Sequence, residues 1–172
     1  NGLEPATDYA GMYYSARARY TYDPVAVGGG YYYFSGDDLD TDENESYMSP
    51  TGGPYPNDFY KGWPGFGPAY TLRSPYGFDL VTPNRNVINA NVEFMHEMID
   101  LRGDFFMYGL NEVPEGMETD LGMEIALHAM VHLDENFGFG ATGGYWMPGK
   151  YYEDMGMEDA MLGGYIYMAK GF

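Results

Sequence analysis

Apolar and polar residues alternate along most of this chain with a period of two, the spacing that sends successive side chains to opposite faces of a β-strand. The clearest run is residues 121–133, L-G-M-E-I-A-L-H-A-M-V-H-L, in which Leu121, Met123, Ile125, Leu127, Ala129, Val131 and Leu133 would form one uninterrupted apolar face. Gly122, Glu124, Ala126, His128, Met130 and His132 would form the other. A helix is the competing reading, because many of these residues are tolerable helix formers and Glu124, His128 and His132 recur at helical spacing. Strict alternation over so long a run does not arise from a period of 3.6, so the pattern predicts a strand. It slightly exceeds the ~9–11 residues with which a tilted strand crosses a bilayer.

The neighbouring segments repeat the pattern. Residues 11–22 place Met12, Tyr14, Ala16, Ala18, Tyr20 and Tyr22 on one face and Tyr13, Ser15, Arg17, Arg19 and Thr21 on the other. Asp23-Pro24 then makes a turn, and residues 25–35 return as V-A-V-G-G-G-Y-Y-Y-F-S, with a facing that the glycine run leaves open. Over 87–96, Ile88, Ala90, Val92 and Phe94 alternate with Asn89, Asn91 and Glu93. After a turn at 97–99, residues 101–109 set Leu101, Phe105 and Met107 against Arg102, Asp104, Phe106 and Tyr108. A loop at 111–119 leads into the 121–133 strand, and Asp134-Glu135-Asn136 makes a short turn. Phe137, Phe139, Ala141, Gly143 and Tyr145 carry the next outer face as far as Pro148-Gly149, and residues 160–172 form the last strand.

Residues 36–82 break the alternation with Pro, Gly, Asp and aromatic residues. So long a connection is foreign to a compact soluble domain but ordinary for the extracellular loop of a barrel, and its rings predict that it packs partly into the mouth. The expected fold is therefore all-β: a transmembrane antiparallel β-barrel in one domain covering residues 1–172, with 36–82 as a long extracellular loop. Seven strands are recognisable, whereas bacterial single-chain barrels have an even number. Either residues 1–9 hide another strand, giving an eight-stranded barrel, or these are the C-terminal strands of a larger one; the second is the reading we adopt.

Composition agrees. Aromatic residues make up 18% of the chain, mean hydropathy is only −0.41, and no apolar run reaches the ~20 residues of a membrane helix. Membrane barrels have this profile because only alternate residues meet lipid and their rings gather at the two interfaces. The absence of Cys removes disulfides and thiolate chemistry. A net charge of −18 argues against nucleic acid as a partner. No signal peptide is visible in a chain that opens on Asn1, which suggests an N-terminus downstream of processing or truncation.

Motifs for chemistry are weak. Gly138-x-Gly140-x-x-Gly143 matches a nucleotide-binding fingerprint but lies within a strand. His96-Glu97 begins a zinc pattern that Asp100 fails to complete. On a strand, Glu124, His128 and His132 are separated by roughly 13 Å at each step, which dissolves a metal site. Asp38, Asp40 and Asp42 resemble the start of a calcium loop, but Glu43 stands where glycine is needed, so a solvated acidic loop is expected. We expect no enzyme, no cofactor and no metal. The candidate site is the inward set: Arg17, Arg19 and Arg102 against Glu93, Asp104 and Glu124, interleaved with Asn89, Asn91, His128 and Thr142. Charges facing a lumen act directly on a solute; alternatively, they pair with one another and fill a small closed barrel.

Several stretches resemble the alginate-export family of outer-membrane porins. They are Leu121-Gly122-Met123-Glu124-Ile125, the turn Leu133-Asp134-Glu135-Asn136-Phe137, Gly143-Gly144-Tyr145-Trp146-Met147-Pro148-Gly149, a last strand ending on Phe172, and Tyr33-Phe34-Ser35-Gly36-Asp37-Asp38 entering a long loop. The resemblance implies passive passage of an anionic or saccharide solute such as a uronate, past arginines for which Arg17, Arg19 and Arg102 stand here. It also implies a bacterial, Gram-negative outer membrane, with lipid and lipopolysaccharide around the barrel and the assembly machinery reading Phe172. The alternative function is a small closed barrel that anchors or adheres without conducting.

Overall fold

The structure, a computed structural model, describes residues 10–38, 41, 43–47 and 84–170. The chain forms one seven-stranded antiparallel sheet in which every strand pairs with its sequence neighbours. The strands are β1 (Tyr13–Tyr22), β2 (Val25–Phe34), β3 (Arg85–Met95), β4 (Ile99–Gly109), β5 (Asp120–Asp134), β6 (Phe137–Pro148) and β7 (Met161–Lys170), with a single helical turn, α1 (Lys150–Glu153), between the last two. These are the seven strands that the alternation predicts. β4 begins at Ile99, earlier than the turn expected at 97–99 allowed, because His96 and Ile99 close the hairpin by bonding each other's backbone.

Tight turns at Asp23-Pro24, 96–98 and 135–136 gather at one end of the sheet, and the longer connections gather at the other. The sheet is open. Among the described residues, β1 pairs only with β2 and β7 only with β6, so each presents an edge with no further strand there. Most of the 36–82 loop, the acidic positions Asp40 and Asp42, and Phe172 lie outside the described residues.

The two faces differ in an unusual sense. One exposes Ile88, Val92, Leu101, Ile125, Leu127, Val131, Ile166 and Met168, with Leu127 at 65% and Ile166 at 86%. The other buries Asn89, Glu93, Asp104, Glu124, His128 and Thr142. The facing of β2, open from sequence, is settled by burial of Ala26, Tyr32 and Phe34 on the inner side and exposure of Val27 on the outer.

At the loop end of the inner face, Tyr32, Phe34, Val87, Phe106, Tyr108, Leu121 and Trp146 form a buried cluster that α1 covers with Tyr152. Tyr47 closes it from the start of the long loop, packing on Tyr13 and Phe34. Leu121 corrects the alternation. The β4–β5 register shifts between Tyr108 and Gly109, so Tyr108 faces Gly122, Gly109 faces Asp120, and Leu121 is the extra residue turned into the cluster. Gly122 makes this possible with a φ of +114°, and the Asp120 carboxylate accepts a bond from its N–H.

Candidate functional site

All ten residues of the inward set lie on the buried face or its margin, and six of them join into one polar ladder. The Arg19 Nη2 donates to Glu93 Oε2 at 2.6 Å, and Arg102 Nη1 donates to Glu93 Oε1 at 3.2 Å. Arg102 also clamps Asp104 through two parallel bonds of 2.7 Å, the two-pronged geometry that fits a planar guanidinium to a carboxylate. Asp104 lies 3.6 Å from His128 Nε2, and His128 Nδ1 is 2.9 Å from Thr142 Oγ1. The ladder therefore runs from β1 to β6. Asn89 joins its side through a 3.4 Å bond to Asp104, and Asn91 donates to Asn89 at 3.0 Å.

The glycine run of β2 explains how Arg19 reaches β3. Gly28 is the register partner of both Arg19 and Asn91, and Gly30 of Arg17 and Asn89. With no side chains at those inner positions, the arginines can lie across β2; a Cβ on Gly28 would stand 3.0 Å from Asn91 Oδ1, and one on Gly30 would stand 3.0 Å from the Arg17 stem. The same opening leaves a concavity of about 500 Å³ lined by Arg17, Arg19, Tyr32, Asn89, Asn91 and Glu93.

Exposure separates the three arginines. The Arg102 side chain is 10% accessible and engaged with two carboxylates, whereas that of Arg19 is 51% accessible, and Arg17 is exposed in the same concavity. Glu124 does not join the ladder. Its side chain is fully buried and accepts a 3.0 Å bond from Tyr108 Oη within the aromatic cluster. His132 sits apart at the turn end, 2.7 Å from Asp100.

Asp104, His128 and Thr142 stand in the order of an acid, a base and a hydroxyl nucleophile. Yet Thr142 is buried, Asp104 is held by Arg102, and the space beside Gly140 on the same face is filled by the Tyr167 ring. In this arrangement the three residues link β4, β5 and β6 as a cross-strand strut. Among the described residues, no three His, Cys, Asp or Glu side chains converge as metal ligands.

A second polar cluster, not read from the sequence, fastens the rim. Asn84 adopts a φ of 64°, its Oδ1 accepts from the N–H groups of Asn111 and Glu112 at 3.0 and 2.7 Å, and its amide donates to Glu112 O at 2.6 Å. Asn111 in turn donates to Phe34 O, and Ser35 Oγ accepts from Met12 N–H and donates to Glu45 O. These bonds tie both stems of the long loop to the β4–β5 connection. The only local clue was the asparagine content, since Asn tolerates the left-handed conformation.

The chain matches no protein-family model and no curated protein.

Proposed function

We infer that this sheet is part of the wall of an outer-membrane β-barrel and that the protein is a porin-like channel for a small or anionic solute such as a saccharide or uronate. The observation that carries the reading is the inversion of its faces. In water, large apolar side chains are buried and carboxylates exposed; here Leu127 and Ile166 are outside while Glu124, Asp104 and His128 are inside, the arrangement a lipid solvent demands.

The outer aromatics support it. Tyr14 and Tyr22 on β1 stand eight positions apart, as do Phe137 and Tyr145 on β6, with Ala16, Ala18, Ala141 and Gly143 among the outer residues between them. Eight positions span about 26 Å along a strand at ~3.3 Å per residue. Tilted by ~40°, that is roughly 20 Å, close to the ~25 Å apolar band between the girdles of a membrane barrel. Tyr20 and Phe139 widen the band at the turn end, and among the described residues Phe105 stands alone at mid-height.

Free edges cannot face lipid, so the reading requires further strands between β7 and β1. In a strictly antiparallel meander of seven, β1 and β7 run in the same direction, and an odd number of strands must join them. The resemblance to alginate-export porins points to an anionic solute, which would meet the exposed Arg17 and half-exposed Arg19 before Arg102, which lines the same concavity but is buried and engaged. The alternative, a small closed barrel without conductance, is favoured by one feature: the ladder and aromatic cluster fill much of the inner face, as side chains fill barrels of about eight strands. Planar-bilayer recording separates them. The channel reading expects discrete conductance whose reversal potential under a salt gradient shifts toward cation preference in Arg17→Gln/Arg19→Gln. Absence of conductance in protein that inserts into the bilayer overturns it in favour of the closed barrel.

A further inference from the structure

Thirteen methionines are present in the chain, and three of them stand side by side. Met107 on β4 is the register partner of Met123 on β5, which is in turn the partner of Met147 on β6. No other methionine faces a methionine across the described strands. The three belong to the outer face, with Met107 45% and Met123 38% exposed and Met147 half-buried. The same cross-strand row continues through Ile88 to Tyr31, whose ring lies beside Tyr14 near the loop end. Thioethers thus occupy, over β4–β6, the level that tyrosine rings occupy over β1 and β2.

Neighbouring strands lie about 4.8 Å apart, and facing Cβ atoms ~4.5–5.5 Å apart. Methionine carries its sulfur beyond Cγ on three rotatable bonds, so the sulfurs of Met107 and Met147 can swing inward over that of Met123. We propose that Met107, Met123 and Met147 form a three-thioether site for a soft monovalent cation, Cu(I) or Ag(I). Soft thioether sulfur selects Cu(I) over hard cations, which prefer carboxylate and water. The nearest carboxylates of the ladder lie on the opposite face of the sheet, so the site offers hard ions nothing. A thioether needs no deprotonation to bind, and affinity is therefore level across the range in which imidazole or carboxylate sites weaken. Placement near the loop end leaves the ion a route from water. The proposal depends on the strand register and not on whether the barrel conducts.

The test is an Ag(I) titration of the refolded protein in detergent micelles, with methionine methyl groups labelled with ¹³C and assigned through the single variants Met107→Leu, Met123→Leu and Met147→Leu. One equivalent of Ag(I) should move three methyl resonances, by equal amounts at pH 5 and pH 7. Each single variant should weaken binding at least tenfold, and Met107→Leu/Met123→Leu/Met147→Leu should abolish it while the other methyl signals stay in place. Leucine conserves volume on this face, and the single variants decide the matter if the triple variant does not refold. Shifts that spread evenly over all methionines, survive in the Leu variants or never appear overturn the site.

Discussion

Replacing Arg102 with Gln should damage the protein far more than replacing Arg19 with Gln, although both arginines contact the same carboxylate. Arg102 is 10% accessible and makes three charged hydrogen bonds, two of 2.7 Å to Asp104 and one of 3.2 Å to Glu93. Its removal leaves Asp104, whose side chain is fully buried, facing His128 at 3.6 Å and Asn89 at 3.4 Å without its guanidinium. Stranding a buried charge in this way costs about 3–5 kcal/mol. Arg19 is half exposed, so water replaces most of what Glu93 supplies, and the expected cost is below about 1 kcal/mol. Urea titration of the bilayer-inserted protein, followed by Trp146 fluorescence in a Trp63→Phe background, reads both, provided that the slopes agree so that only stability has changed. Arg102→Met/Asp104→Leu should recover most of the loss, because a buried pair replaced by apolar groups of similar size is close to neutral. If Arg102→Gln is as mild as Arg19→Gln, or the double variant is no better than the single, the ladder is not the buried structure described above.

Three further outcomes follow from particular contacts. Leu127→Arg on the outer face should cost about 2–4 kcal/mol in a bilayer-folding titration, whereas Asn91→Arg in the concavity should cost less than about 1 kcal/mol; equal penalties would contradict the assignment of faces. Gly28→Leu should close the path of Arg19 to Glu93 and fill the concavity, lowering single-channel conductance; unchanged conductance would place the solute path elsewhere. Asn84→Ala should cost about 0.5–1.5 kcal/mol by removing the acceptor of the Asn111 and Glu112 N–H groups, and limited proteolysis should then cut more readily between residues 36 and 83; an unchanged digest would show that the rim holds without the clasp.

Most strands were legible because a period of two survives in them, β2 because it returns from a turn, and the turns because Asp23-Pro24 and Asp134-Glu135-Asn136 carry local turn chemistry. Alternation assigns a face, however, and not a neighbour. It grouped Glu124 with the arginines, although the register sets it opposite Phe106 and Trp146, and Tyr108 bonds its carboxylate. It placed Leu121 outside because a bulge is a shift between two strands, visible in one only as a glycine after Leu121. The glycines of β2 had no facing of their own. They acquire a role only once Arg17 and Arg19 on β1 and Asn89 and Asn91 on β3 are known to be their partners. The Asn84 clasp joins residues 27 and 28 positions apart, and α1 is a single turn held against Trp146 by tertiary packing, so neither leaves a periodic trace.

The inner face divides into two halves with different consequences. Over β4–β6 the ladder, Glu124 and the ring cluster leave charges engaged and little room, so that half behaves as a solid wall. Over β1–β3 the missing side chains of Gly28 and Gly30 open a concavity where Arg19 stays half accessible and Arg17 is exposed. A solute moving along this sheet would therefore meet the exposed guanidinium groups of Arg17 and Arg19, the second held by Glu93, a carboxylate shared with Arg102. On the channel reading, the sign of selectivity then rests on these exposed guanidinium groups rather than on the net charge of −18. Exposed acids act through screened water beyond roughly 8 Å at physiological ionic strength, while a guanidinium in a narrow passage acts at contact. A barrel filled by its own side chains would have to fill the β1–β3 concavity as well, and a solid interior there would turn the same two arginines from a recognition element into one more internal brace.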